Sequence, residues 1–222
     1  MSPTFPSGTE PLLPRHVASI GRSPLADFSD LTPWDLVAHA APMVKALLAN
    51  LPAADYRISD DVAVHRSATV EEGAVLKGPL ILGAGCFVAA GAYLRGGNWV
   101  AEGCTLGPGA ELKSSFLFAG TRLSHFNFVG DSVLGAGVNL EAGSIVCNCR
   151  NERPDRELRV WVGGRRLSLG DRKFGALLGD GCRIGANAVI APGAMLPPGG
   201  LLARGAVLDQ DGEPVDLPPG SG

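Results

Sequence analysis

The sequence predicts an all-β chain: a left-handed parallel β-helix of hexapeptide repeats, with a short N-terminal helical cap and a β-hairpin excursion. Three observations carry that prediction. An aliphatic residue recurs every six positions, without a miss, at Val64, Val70, Leu76, Leu82, Val88, Leu94, Val100, Leu106 and Leu112. Four positions after most of these stands a small or compact residue, such as Ala68, Ala74, Cys86, Ala92, Cys104 and Ala110, often with Gly just before it. The beat returns after an interruption at Leu178, Ile184, Ile190, Leu196, Leu202 and Leu208. A strand alternates with period 2 and a helix with period 3.6, so neither produces a strict six. A fixed short period marks a solenoid, and three hexapeptides make one triangular coil of roughly 18 residues. The aliphatic residue points inward; the small residue and Gly turn each corner.

Composition agrees. The 222 residues suffice for one core and a small appendage. The 31 Gly and 17 Pro read as many turns. A net charge of −3 leaves no electrostatic footprint for nucleic acid or an anionic membrane. No apolar run is long enough to span a bilayer. The N-terminus lacks the pattern of a signal peptide, so a reducing cytoplasm is the expected location. Of the five cysteines, Cys86, Cys104 and Cys182 fall at small-residue positions and read as buried free thiols; Cys147 and Cys149 are too close for the usual zinc spacing.

Taken in order, residues 1–58 read as an arm and helical cap, 59–210 as the β-helix with an excursion at 147–177, and 211–222 as a flexible tail. The first 30 residues, rich in Pro, Ser and Gly, read as irregular. Thr32-Pro33 reads as a helix start, a hydroxyl N-cap with Pro at the first helical position. The amphipathic stretch from Trp34 to Leu51 follows, with Pro42 expected to kink or split it and Pro52 to end it. It is expected to cap the open N-terminal end of the solenoid. After Leu112 the beat takes a five-residue step to Leu117, runs through Leu123 and Val129, and takes a second five-residue step to Leu134 before Leu140 and Val146. Fifteen beat positions up to Val146 make five coils, and six more make two. Within the excursion, RELRVWV-GG-RRLSLG reads as a hairpin with a Gly-Gly turn.

Coil counting places side chains. Arg95 and Lys113 stack on one column, continued by Gly130 and Cys147, with Asp131 and Asn148 one residue further along; His125 lies at the neighbouring edge, and Ala142 one coil after it. Spacing leaves two readings of the cations: they hold an anion such as a phosphate, or they splay into solvent. It leaves two for His125 also, a packed or surface histidine or a proton shuttle between an amine nucleophile and a thiolate leaving group. With His16 and His39 ahead of the solenoid, a three-histidine metal site is not expected. No G-x-x-x-x-G-K-[ST] occurs, so Gly serves the corners. The arginines at 150, 153, 156, 159, 165 and 166 are interleaved with acids and read as a solvated loop, from which one or two could reach a phosphate or coenzyme A.

The stretches LRGGNWVAEGCTLGPGAELK and SHFNFVGDSVLGAGVNLEAGSIVCN resemble the C-terminal acetyltransferase domain of the bifunctional glucosamine-1-phosphate acetyltransferase/N-acetylglucosamine-1-phosphate uridylyltransferases. They equally resemble the archaeal sugar-1-phosphate nucleotidylyltransferase/acetyltransferases, to whose tail RKFGALLGDGCRIGANAVIAPG is similar. The likeness covers about residues 62–208, with its clear motifs in 94–148. It implies a homotrimer with sites between subunits, using acetyl-CoA and a sugar phosphate. His125 matches the family's catalytic base, Arg95 and Lys113 its sugar-phosphate ligands, Asn139 and Asn148 its substrate-side asparagines, and Ala142 and Ala186 positions near acetyl-CoA. Asn148 would orient the sugar. Phe128 stands where the family has a substrate-side tyrosine, Cys149 where the bacterial enzymes have another, and Arg156 and Arg159 where lysines are expected. The residues ahead of the β-helix are too few for a nucleotidylyltransferase domain. The implied function is N-acetyl transfer to an amino-sugar phosphate or nucleotide amino sugar. The alternatives are acyl transfer to another sugar hydroxyl or amine, and a non-catalytic sugar-nucleotide-binding or assembly subunit of a nucleotidylyltransferase system.

Overall fold

The computed structural model describes residues 10–170 and 172–211. Seven parallel strands stack on each of three faces, giving seven coils. The first face runs from Val62–His65 to Ala194–Leu196, the second from Thr69–Val70 to Leu201–Leu202, and the third from Val75–Leu76 to Val207–Leu208. Beat residues meet beat residues one coil on: Leu82 pairs with Val100, Leu94 with Leu112, Leu112 with Val129 and Leu123 with Leu140. The core is therefore a set of aliphatic columns with the small residues, including the thiols of Cys86, Cys104 and Cys182, at their corners. Each rung adds about 4.8 Å, and each buried Leu or Val contributes about 1.5–3 kcal/mol.

The helices depart from the expected cap. Thr32 is the N-cap, its hydroxyl oxygen accepting from the Asp35 N–H and its O–H donating to the Asp35 carboxylate. Helix Pro33–Ala38 stops and helix Ala40–Leu48 begins around His39. Pro42 supplies no N–H to the carbonyl four residues back, so the split falls there. The pair lies along the first face, not over the end. Trp34, Leu36, Val37, Ala40 and Val44 pack in one cluster with Ile81, Trp99, Phe116, Val133 and Leu177, which point outward from that face. The segment before them also contributes: Leu12, Leu13, Val17, Ile20 and Leu25 are buried in the same cluster, through a short helix and two 3-10 turns. Among the described residues the N-terminal end of the solenoid stays open. A shallow apolar hollow there is lined by Arg57, Ile58, Ser59, Val62, Val64, Val70 and Leu76, edged by the strand Tyr56–Ser59 running antiparallel to the first rung.

Both five-residue steps fall where the third face turns into the first. Ser114 and Asp131 take positive φ there, 47° and 48°. The missing residue is compensated by a column of buried side chains. Asn98 Oδ1 accepts from Ser115 N–H, Ser115 Oγ accepts from Ser132 N–H, and Ser132 Oγ accepts from Ala176 N–H. Buried backbone donors must find partners, and here side chains supply them.

The excursion contains the expected hairpin, Leu158–Val162 against Arg165–Gly170, with Gly163 and Gly164 both at positive φ. Its arginines are only partly a solvated loop: Arg156 and Arg165 are exposed, while others are tied down. Arg150 is buried and pairs with both oxygens of Asp209; Arg153 and Arg166 converge on Asp211. Gln210 closes the last rung of the first face, its amide bonding both N–H and C=O of Met195. The chain is thus anchored through residues 209–211, which include Asp211, the first residue of the expected flexible tail. The rest of the predicted tail, 212–222, and the first nine residues lie outside the described residues.

Candidate active site

At the edge between the third and first faces, Lys113 ends strand Glu111–Lys113 and Asp131 follows strand Phe128–Gly130. Lys113 Nζ donates to both Asp131 oxygens, at 2.8 and 2.7 Å, and Asn148 Nδ2 donates to Oδ2 at 2.5 Å. The side chains of Lys113 and Asp131 are only 17% and 9% exposed. One rung earlier Arg95 pairs with Glu111 at 2.7 Å and lies over the Tyr93 ring, which Lys77 flanks on its other neighbour's side. The cations therefore stack as predicted, but each has its own carboxylate. Phe128, in the outward row with Glu111 and Ile145, reaches toward Gly130. Burial pushes the Cys147 thiol above its ordinary value.

His125 lies at the opposite edge of the third face, where the second face turns into it. Its backbone is held: N–H donates to Asn127 Oδ1, and C=O accepts from Gly143 N–H. Asn127 is buried and donates Nδ2 to Glu141 and Ser144. The imidazole is exposed and has no side-chain partner among the described residues. Phe126 beside it is 71% exposed and sits at φ 50°, a strained conformation for a bulky residue. Ala142 follows on the next rung, and Asn187, adjacent to Ala186, on the one after, where its N–H bonds Ala142 C=O. Asn139 is on the second face between Arg122 and Arg183, lining a shallow cleft of about 550 Å³ with Glu141 and Arg204. Glu141 is held below the ordinary carboxylate range by Arg204 and by the Ala186 N–H.

The structure thus joins Arg95, Lys113, Phe128 and Asn148 along one edge. It sets His125, Ala142 and Ala186 along the other, with Asn139 around the corner. Five residues separate His125 from Asp131, and the strand between them crosses the whole third face. The five-residue steps therefore belong to the Lys113–Asp131 edge and not to the histidine. Coil counting placed Asp131 on the right column but did not assign it as the partner of both Lys113 and Asn148; Glu111 went unread as the partner of Arg95. Both were accessible, since outward residues two apart or on adjacent rungs are neighbours on one face. Among the described residues no group of three or more His, Cys, Asp or Glu is placed to hold a metal ion, and no helix is long and apolar enough to cross a membrane.

No family model matches the chain. It is 34% identical over 106 residues to the bifunctional sugar-1-phosphate nucleotidylyltransferase/acetyltransferase of Sulfurisphaera tokodaii, covering 48% of this chain and 26% of that one. It is 30% identical over 176 residues to the bifunctional protein GlmU of Methanococcus maripaludis, covering 71% and 41%. The chain therefore spans well under half the length of these relatives, which are the proteins that its motifs resemble. Among solved structures, the acetyltransferase domain of PglB from Neisseria gonorrhoeae, in complex with acetyl coenzyme A, overlaps 68% of this chain and 55% of that one, at 13% identity and a TM-score of 0.33.

Proposed function

We propose that the chain is an acetyl-CoA-dependent N-acetyltransferase acting on an amino-sugar phosphate, glucosamine-1-phosphate-like, or on a nucleotide amino sugar. The observation that carries this reading is His125: an exposed imidazole without a partner, on a loop whose backbone Asn127 and Gly143 hold fixed. The similarity to proteins named as acetyltransferases supports it. In the reaction, His125 accepts a proton from the sugar amine as its nitrogen attacks the thioester carbon. A C–N bond forms, the C–S bond breaks, and the imidazolium returns the proton to the thiolate. Arg95 and Lys113 hold the phosphate through the N–H donors that Glu111 and Asp131 leave free. Asn148 orients the sugar, and Phe128 offers it an apolar surface. Ala142 and Ala186, with no side chain beyond Cβ, leave room for an extended thioester arm against the backbone of the second corner.

Because the phosphate-binding edge and the histidine edge lie on opposite sides of one face, the proposed site is completed by a second copy placed edge to edge, in a homotrimer. Five free thiols suit a reducing cytoplasm. Incubation with acetyl-CoA and a panel of amino-sugar phosphates, followed as free thiol, tests the reading. His125→Ala is expected to slow thiol release by about 10²–10⁴-fold in folded protein; unchanged turnover would sink the assignment. One observation favours a second reading. The Lys113–Asp131–Asn148 set is complete within a single chain, while Phe128 carries no hydroxyl, as suits a sugar-nucleotide-binding or assembly subunit. Thiol silence across the panel, with sugar-nucleotide binding retained, selects it.

A further inference from the structure

The buried carboxylate of Asp131 does more than neutralise a lysine, and what it does rests on the acetyl-transfer reading above. A carboxylate offers acceptors only, so the half of the Asn148 amide that faces Asp131 Oδ2 has to be its NH2. The amide carbonyl then points away from Asp131, and no described residue donates to it. Lys113 has three N–H donors, of which Asp131 takes two, one per oxygen. The backbone around the carboxylate is equally tied: Asp131 N–H donates to Lys113 C=O, and Asp131 C=O accepts from Gly175 N–H where the excursion returns. Beside it, a Cβ on Gly130 would lie 2.6 Å from Asn148 Nδ2 and 2.8 Å from the tip of the Phe128 ring. Gly130 is not at positive φ, so what this position requires is space for those two side chains.

We propose that Asp131 is the positioning residue of the acceptor site. It fixes the Asn148 amide with its oxygen outward and holds Lys113 with one N–H outward. The site so formed is matched to a ligand that carries a hydrogen-bond donor, an amine or hydroxyl, close to an anionic oxygen. A ligand presenting only acceptors at that point meets the wrong face of Asn148.

Asp131→Asn keeps the shape but lets the two amides face each other either way. It is expected to raise the KM for the amino-sugar phosphate at least about tenfold, the scale of a hydrogen bond to a charged group, while the KM for acetyl-CoA stays unchanged. The exchange Asp131→Asn with Asn148→Asp restores one donor facing one acceptor and keeps an oxygen outward, so it is expected to recover most of the acceptor KM. Gly130→Ala, which leaves the Lys113–Asp131 pair in place and displaces Asn148, is expected to raise the same KM. Equal effects on both substrates, or no effect, would overturn the proposal. If the wild-type protein releases no thiol, calorimetry with glucosamine 1-phosphate decides instead. Binding that Asp131→Asn weakens about tenfold supports the positioning role and overturns only the transfer reading; equal binding overturns the positioning role. Absence of binding to the wild type overturns both.

Discussion

Arg150 is 3% exposed, and a guanidinium so buried has to be matched. Asp209 matches it with two bonds of 2.6 and 2.7 Å, and Pro192 C=O takes a third contact. The cost of losing this match is moderated because Asp209 is itself 42% exposed. Asp209→Asn is expected to destabilise the fold by about 2 kcal/mol at neutral pH, seen as a lower midpoint in thermal or urea unfolding. Arg150 also holds the Asp209 carboxyl below the ordinary carboxylate range. A depressed folded value means that the pair's contribution is complete above the unfolded carboxylate pKa of about 3.9. It is lost as pH falls through the folded value. Thermal midpoints measured downward from neutral pH should therefore begin to fall below about pH 4, and the Asp209→Asn variant should show a shallower acid limb. A limb of the same slope in both proteins would remove Asp209 from the account.

At the scale of elements, the N-terminal segment is packed on the first face through apolar side chains, and the Asp180 side chain pins its beginning. Asp180 accepts from Ala136 N–H at 2.7 Å and from Ala18 N–H at 2.9 Å, while its own N–H donates to His16 C=O. Arg172 adds a 2.7 Å ion pair to Asp35 on the helix Pro33–Ala38. Asp180→Ala removes two charge-assisted bonds, at about 1.5 kcal/mol each. It should expose the segment before Thr32 to limited proteolysis while the β-helix remains resistant; cleavage no faster than in the wild type would contradict the fastening role. The sequence carried a readable sign of where this segment goes. Ile81, Trp99, Phe116, Val133 and Leu177 each precede a beat residue of the first face by one, so each points outward. The second face has Thr105, Arg122, Asn139 and Arg183 at the same positions. The third face's row is broken by Glu111 between Tyr93 and Phe128, so an unbroken run of large apolar residues marks the first face as the covered one. The strict inward period was the stronger signal and drew the helices toward the open end instead.

At the scale of the molecule, the solenoid itself was legible because its inward residue answers to one constraint, repeated at every rung. The candidate site was legible by column but not by partner. Columns follow from counting, whereas the pairing of Lys113 with Asp131, and of Arg150 with Asp209 a coil and an excursion away, depends on side-chain reach and on shortened corners. The distance between the His125 edge and the Lys113 edge is likewise a property of the whole prism. Light scattering is expected to give the mass of three chains, and Phe126→Glu, altering an exposed apolar side chain at the bare edge, is expected to lower that mass. A single-chain mass for the wild type would contradict the trimer.

The sheath of helices on the first face has a geometric consequence. A triangular prism with one wall clad keeps, among the described residues, two bare walls, and those meet along a single ridge, the one on which His125 and Phe126 stand. In a closed ring that completes the proposed site, the ridge of each copy would meet the Lys113–Asp131 edge of its neighbour. The clad wall borders that edge and would face out of the ring. The N-terminal segment would thus act as an orienting fin, forbidding the two other ways in which a three-walled rod can be turned about its own length.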